Sequence, residues 1–453
     1  MLRLLAALAL LAACASRPEG PAPLVLRGAH LVDPGSPTGP RRADLVLRDG
    51  VIDAVLEPGD PAPEDASVVD LSDRYVLPGF IDLHVHLPPD PGVQDAVLRQ
   101  ILEHGVTTIF VPGARPGAGV ALRDRLGADR PRMLTAGRIV DRSGVDSPVS
   151  DWAALVATEE EARAEVRRQA ASGVDAVKGY AGLTPGLVRA LVDEADRADL
   201  PVVLHAGATT WGEAAEAGVS MLVHSGYGTP MDEVISLPDP AAASDREWYH
   251  AYAAAPDGPA FQELADQLAR RGVWVVPTLA ITMASGLGRD ATLLPRFETD
   301  LAPERDLPGW WTEGWRERHP QHGDDVSEEE ERLLEQVYWP GVLGIVRALH
   351  ERGVRLGVGT DVGNSWITPG VSYHLELELL VGAGLSPRDV LTLATRRGAE
   401  ALGLADGLGR LAPGQEADLV VLAADPTVDI RATRQVLLVL REGRVVVDRR
   451  TDD

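Results

Sequence analysis

Phe80-Ile81-Asp82-Leu83-His84-Val85-His86 opens the part of the chain whose reading decides the fold. Residues 80–85 form a short, near-continuous apolar run that gives way to polar residues, the pattern of a strand buried on both faces. Seven further runs follow, at residues 106–111, 133–135, 174–177, 202–204, 221–223, 273–276 and 355–358. Stretches of helical period, such as 159–171 and 185–198, separate most of them. Apolar strands alternating with helices imply a parallel sheet, and eight repeats imply a closed (β/α)8 TIM barrel, an α/β fold, over residues 78–402. One stretch breaks the repeat. Residues 282–345 hold Trp310, Trp311, Trp315 and Trp339, and they read as an inserted cap over the barrel mouth.

Outward from the barrel, both ends of the chain turn to short strands. Before it, at 24–77, apolar segments lie at 24–26, 45–47, 51–56 and 68–71, with Asp49-Gly50 as a tight hairpin turn. After it, at 403–453, the pattern returns at 418–422 and 436–440 and passes through Arg441-Glu442-Gly443-Arg444 into 445–447. The two ends are expected to build one small β-sandwich.

Composition narrows the function classes. With 45% apolar and 25% charged residues in 453, the chain is an ordinary globular body. Lys and Arg number 43 against 68 Asp and Glu, and the resulting charge of -25 repels phosphate backbones, so no nucleic-acid partner is expected. Met1-Leu2-Arg3 and the apolar run 4–13 have the length and flanks of a signal peptide and are too short to span a bilayer. The run closes on Leu11-Ala12-Ala13-Cys14, which resembles a bacterial lipobox. That implies export, lipidation at Cys14, a tether over 15–23 and membrane contact through this anchor alone. Ala15 in place of an Asp favours the outer membrane under the same resemblance. Cys14 is the sole cysteine, so disulfides, Cys-ligated zinc and a cysteine nucleophile are excluded. Oligomeric state leaves no mark in the sequence.

His84 and His86 are two apart at the end of the first barrel run, so both imidazoles point the same way and both could bind one metal. Lys178, His205, His224 and Asp361 fall just past the ends of runs four, five, six and eight. That is the edge where barrel enzymes place their catalytic groups. Tyr180, two residues beyond Lys178, points to the same end and is a candidate substrate or oxyanion contact. Tyr227, Asn364, Trp211 and the pair His374 with Glu376 are further candidates on mouth loops. His30, His104, His250, His319, His322 and His350 lie off the barrel ends and read as surface or structural residues.

Taken together, Pro78-Gly79-Phe80-Ile81-Asp82-Leu83-His84-Val85-His86, Val177-Lys178, Leu204-His205-Ala206, Val223-His224-Ser225, Gly359-Thr360-Asp361 and Ala417-Asp418-Leu419-Val420-Val421-Leu422 resemble the metal-dependent amidohydrolases. The resemblance implies two divalent metal ions. His84, His86 and Asp361 would hold one, His205 and His224 the other, and Lys178, carboxylated by CO2, would bridge them. A free ammonium could not, having no lone pair. Zinc suits these nitrogen and oxygen ligands, with Mn, Fe and Co open. Two such ions lower the pKa of a shared water, and the resulting hydroxide would attack the carbonyl of a small amide or peptide substrate. Asp361 would carry the proton to the leaving amine. Leu375-Glu376-Leu377-Glu378, Ala383-Gly384-Leu385-Ser386-Pro387 and Ala394-Thr395 look most like the imidazolonepropionase-like branch, which includes dipeptidases cleaving Xaa-Pro bonds. The implied substrate is a dipeptide, an N-acyl amino acid or a cyclic amide. A mononuclear ring hydrolase or deaminase is the alternative among enzymes, although Ala208 stands where deaminases carry a glutamate. A catalytically silent surface lipoprotein is the alternative of another class.

Overall fold

A computed structural model describes residues 22–34, 36, 38–114, 119–226, 233–235, 237, 243–287 and 327–450. Cys14, Tyr227, Trp310, Trp311 and Trp315 lie outside the described residues. All eight apolar runs carry strands: Phe80–Asp82, Val106–Val111, Arg132–Thr135, Val177–Gly179, Val202–Leu204, Met221–Val223, Trp274–Val276 and Arg355–Leu356. Successive ones pair in parallel. The third is broken. Its lower half, Arg132–Thr135, pairs with the second strand, and its upper half, Ile139–Arg142, pairs with the fourth. Gly137 sits between the halves at φ 64, a left-handed turn that glycine adopts without steric cost.

Closure joins the first strand to the eighth. Leu83 N donates to Val358 O at 2.8 Å, Asp361 N to His84 O at 2.8 Å and His86 N to Val362 O at 2.6 Å. Asp82 reinforces this seam, since its buried carboxylate accepts from the Thr360 hydroxyl at 2.7 Å, Thr360 N at 3.1 Å and His84 N at 3.0 Å. The barrel lumen is filled by Ile81, Leu83, Phe110, Val203, Val223 and Val276 among others. The larger core lies between strands and helices.

Local chemistry starts and stops the helices of the outer ring. Thr158 and Glu161 form a reciprocal capping box at Glu159–Ala171, and Asp90 accepts from Gly92 N and Val93 N at Pro91–Glu103. Pro259–Arg271 ends at Gly272 in the left-handed conformation.

The chain ends combine in one hydrogen-bonded sheet of eight strands. Tyr75–Pro78 is its hinge, pairing with Leu24–Leu31 on one side and Leu419–Leu422 on the other. A bulge between Leu26 and Ala29 lets the lower part of Leu24–Leu31 pair with Ser67–Asp70 and the upper part with Tyr75–Pro78. Leu26, Leu45, Ile52, Val76, Leu419 and Leu438 share one core between them. Among the described residues no helix is long and apolar enough to cross a membrane.

Candidate metal centre

Strand periodicity aims Lys178 into the barrel. Its register partner Val203 belongs to the lumen, whereas the adjacent Val177 packs against the helices. Its Nζ is buried and has no hydrogen-bond partner. His84 Nε2 lies 3.2 Å from His86 Nε2, and these atoms are 3.4 and 3.5 Å from Asp361 Oδ1. The His224 ring stands 5.0 Å from that of His84 and 4.5 Å from that of His205, which lies 4.6 Å from the Tyr180 ring. The structure therefore brings all six expected ligands and Tyr180 into one continuous cluster. His84, His224 and Asp361 each offer a ligand atom within 4.8 Å of the others. This tight trio draws on both halves of the expected ligand set.

Two of the rings have their tautomers set from outside. Thr278 donates its hydroxyl proton to Pro277 O at 2.8 Å, so it accepts from His224 Nδ1 at 2.8 Å. The Gly113 carbonyl, 3.4 Å away, accepts from His86 Nδ1. Each bond leaves an Nε2 lone pair for the cluster interior. Burial holds the imidazoles neutral, with His86 pushed down to about 4 and His205 to about 3, and the charge of Lys178 adds to this. The same burial lowers Lys178 to about 7, against the pull of Asp361, and raises Asp361 to about 7, against the pull of Lys178. Tyr180 is raised to about 12, first by burial and then by the Asp361 and Asp141 charges. Its phenol thus remains a donor.

Asp361 Oδ1 is also buried without a hydrogen-bond partner. Converging nitrogen lone pairs facing an unpartnered carboxylate oxygen and an unpartnered amine are unfavourable by themselves and suited to a divalent cation. The residues fit the metal chemistry that the sequence implies. Backbone strain accompanies them: His224 and Asp361 adopt φ of 70 and 64, and the β-branched Thr278 a φ of 50.

The remaining candidates divide. Asn364 adjoins the cluster, its Nδ2 donating to the Asp361 carbonyl at 3.0 Å. His374 and Glu376 do not reach it. His374 Nδ1 meets the Thr433 hydroxyl at 3.1 Å, and the Glu376 oxygens accept from Leu279 N and Ala280 N at 2.9 and 2.6 Å, at the start of helix Leu279–Leu287. Trp211 is fully buried at the first position of its helix and serves packing. Sequence reading missed Thr278, Asp82 and Tyr252, whose hydroxyl donates to the carbonyl of Ser225, next to His224. Thr278 could have been found by asking which polar residue ends the seventh strand, between the ligands on the sixth and eighth.

The chain matches the amidohydrolase family description over residues 75–446. A dihydroorotase of Desulforapulum autotrophicum is 45% identical over 67 residues, so the match spans 15% of the length of this chain and of that relative. A bottromycin amidohydrolase superposes with a TM-score of 0.70 at 26% identity, covering 94% of this chain and 87% of that one. A Xaa-Pro dipeptidase with methionine bound in its active site superposes with a TM-score of 0.67 at 20% identity, covering 94% and 99%, a likeness of fold. A family match that takes in the barrel and every histidine, lysine and aspartate of the cluster has one meaning: the chain belongs to the amidohydrolase family.

Proposed function

We propose that this protein is a metal-dependent hydrolase of amide bonds in a small substrate: a dipeptide, an N-acyl amino acid or a cyclic amide. The observation that carries this is the convergence of four neutral histidines, an unpartnered lysine and an unpartnered carboxylate at the barrel mouth. His84, His86 and Asp361 would hold one ion and His205 and His224 a second, with carboxylated Lys178 bridging. Bound ions, zinc by ligand type, would supply a water of lowered pKa and a Lewis acid for the amide carbonyl. Asp361 takes the water proton and passes it to the leaving nitrogen. Tyr180 remains protonated and hydrogen-bonds the carbonyl oxygen. We infer export and lipid attachment at Cys14 from the resemblance of Leu11-Ala12-Ala13-Cys14 to a lipobox, and Cys14→Ser is expected to abolish labelling with palmitate.

Elemental mass spectrometry of the protein lacking residues 1–14 tests the reading together with a hydrolysis panel of dipeptides, N-acyl amino acids and lactams. The expected content is about two metal ions per chain, falling in Lys178→Ala. One ion, unchanged by that substitution, would favour a mononuclear ring hydrolase. None, even after incubation with zinc and bicarbonate, would leave a binding protein.

A further inference from the structure

We propose that Asp141 is a subsite for a cationic amino group, so that this enzyme takes amides bearing a free ammonium beside the scissile bond in preference to N-acylated ones. This rests on the amide-hydrolase reading and selects within it.

Asp141 lies on Ile139–Arg142, the upper half of the broken third strand. In register, Ile139 faces Lys178 and Val140 faces Gly179, and Tyr180 N donates to Val140 O at 3.0 Å. The next rung sets Asp141 beside Tyr180, about 6.6 Å towards the mouth from Lys178. Side-chain alternation turns Asp141 to the same side as Ile139 and Lys178, while Val140 packs among the helices.

The carboxylate is fully buried. Oδ1 accepts from Arg142 N at 2.8 Å and Gly182 N at 2.9 Å. Oδ2 has no hydrogen-bond partner, and no cation pairs with Asp141 among the described residues. The loop that donates to Oδ1 is shaped for close approach. A Cβ at Gly182 would stand 2.6 Å from Oδ1 and 2.8 Å from Val145 Cγ2. One oxygen is therefore fixed by the backbone, and the other is buried without a partner, beside Tyr180 and mouthward of Lys178. A buried negative charge without a counter-charge is unfavourable unless a cation completes it. An ammonium brings the missing charge and a donor for Oδ2.

Asp141→Asn keeps an acceptor for the two backbone N–H groups and removes the charge. Calorimetry on the metal-loaded protein would compare leucinamide with N-acetylleucinamide, and kinetics would compare alanyl-leucine with N-acetylalanyl-leucine. The wild type is expected to bind leucinamide about tenfold or more tighter than its acetyl analogue, and Asp141→Asn to lose about tenfold for leucinamide alone. The same pattern is expected in kcat/KM for the two peptides. Equal affinities in the wild type, a reading that needs no variant, would overturn the proposal. So would a substitution that weakens both ligands alike, the mark of a structural clamp completed by water. Amine selectivity in binding without hydrolysis of any amide would support the subsite and sink the amide-hydrolase reading; hydrolysis without amine selectivity would do the reverse.

Discussion

Thr278 holds His224 by a hydroxyl 2.8 Å from Nδ1, with its own proton committed to the Pro277 carbonyl. The two residues come from the ends of neighbouring strands, and the relay fixes which nitrogen of the imidazole faces the cluster. Thr278→Val keeps the shape and removes the acceptor. We expect metal affinity to fall about 10- to 100-fold, as on loss of other outer-shell partners. Competition with a chromogenic chelator measures it. Unchanged affinity would show that the tautomer is set elsewhere.

Asp361 is held by its backbone as much as by its carboxylate, since its N–H bonds to His84 O and its carbonyl accepts from Asn364. Asp361→Asn should therefore preserve the loop. We expect kcat on the best substrate of the panel to drop by about 10²- to 10⁴-fold, the range for loss of a proton-transfer group. The urea midpoint should stay level or rise, because a buried carboxyl is removed. Near-normal turnover would exclude Asp361 from proton transfer.

Glu376 supplies a pH dependence away from the metal ligands. Burial outweighs its two backbone hydrogen bonds and raises the carboxyl from 4.5 to about 8. A raised pKa means that the folded state binds the proton more tightly than the unfolded state. Its stabilisation is fully present below pH 4.5 and is lost as pH rises to about 8. Glu376→Gln removes the titration but places an amide N–H₂ against a backbone donor. The variant should be less stable by about 1 kcal/mol at pH 5 and flatter between pH 5 and 8. Urea denaturation across that interval checks both, and parallel profiles for the two proteins would refute the assignment.

Gly207 tests the packing behind the cluster. A Cβ there would stand 2.3 Å from the Ala181 carbonyl oxygen and 2.7 Å from Ala181 Cα, so the obstacle is backbone. Gly207→Ala should cost about 1–3 kcal/mol by overpacking. It should also disturb His205, two residues away. A stability like that of the wild type in urea would mean that the two loops separate freely.

The barrel was legible because each lumen strand is a compact apolar run, and the ligands because they follow those runs directly. What escaped was whatever depends on contact between runs. Gly137 reads as an ordinary turn, and nothing local says that Ile139–Arg142 resumes the same barrel strand one rung higher, carrying Asp141 to the mouth. Glu376 and His374 share a helix just beyond the eighth strand and look like mouth residues. Only packing shows that one caps a neighbouring helix and the other faces Thr433. Thr278 stands out only once the sixth and eighth strands have been given ligands, since its role comes from a histidine 54 positions away.

Tyr75–Pro78 leads into the first barrel strand through Gly79, whose N–H donates to the Asp418 carbonyl. The segment that carries His84 and His86 is thus moored to residues more than three hundred positions later. During synthesis, the N-terminal strands leave the ribosome long before their partner at Leu419–Leu422 exists. Contacts of such sequence separation form late and slowly. A nascent or truncated chain that stops short of Leu419 holds the histidines but lacks the strand that pairs with Tyr75–Pro78 just ahead of them, so the cluster is expected to take its final geometry only after that strand has been made.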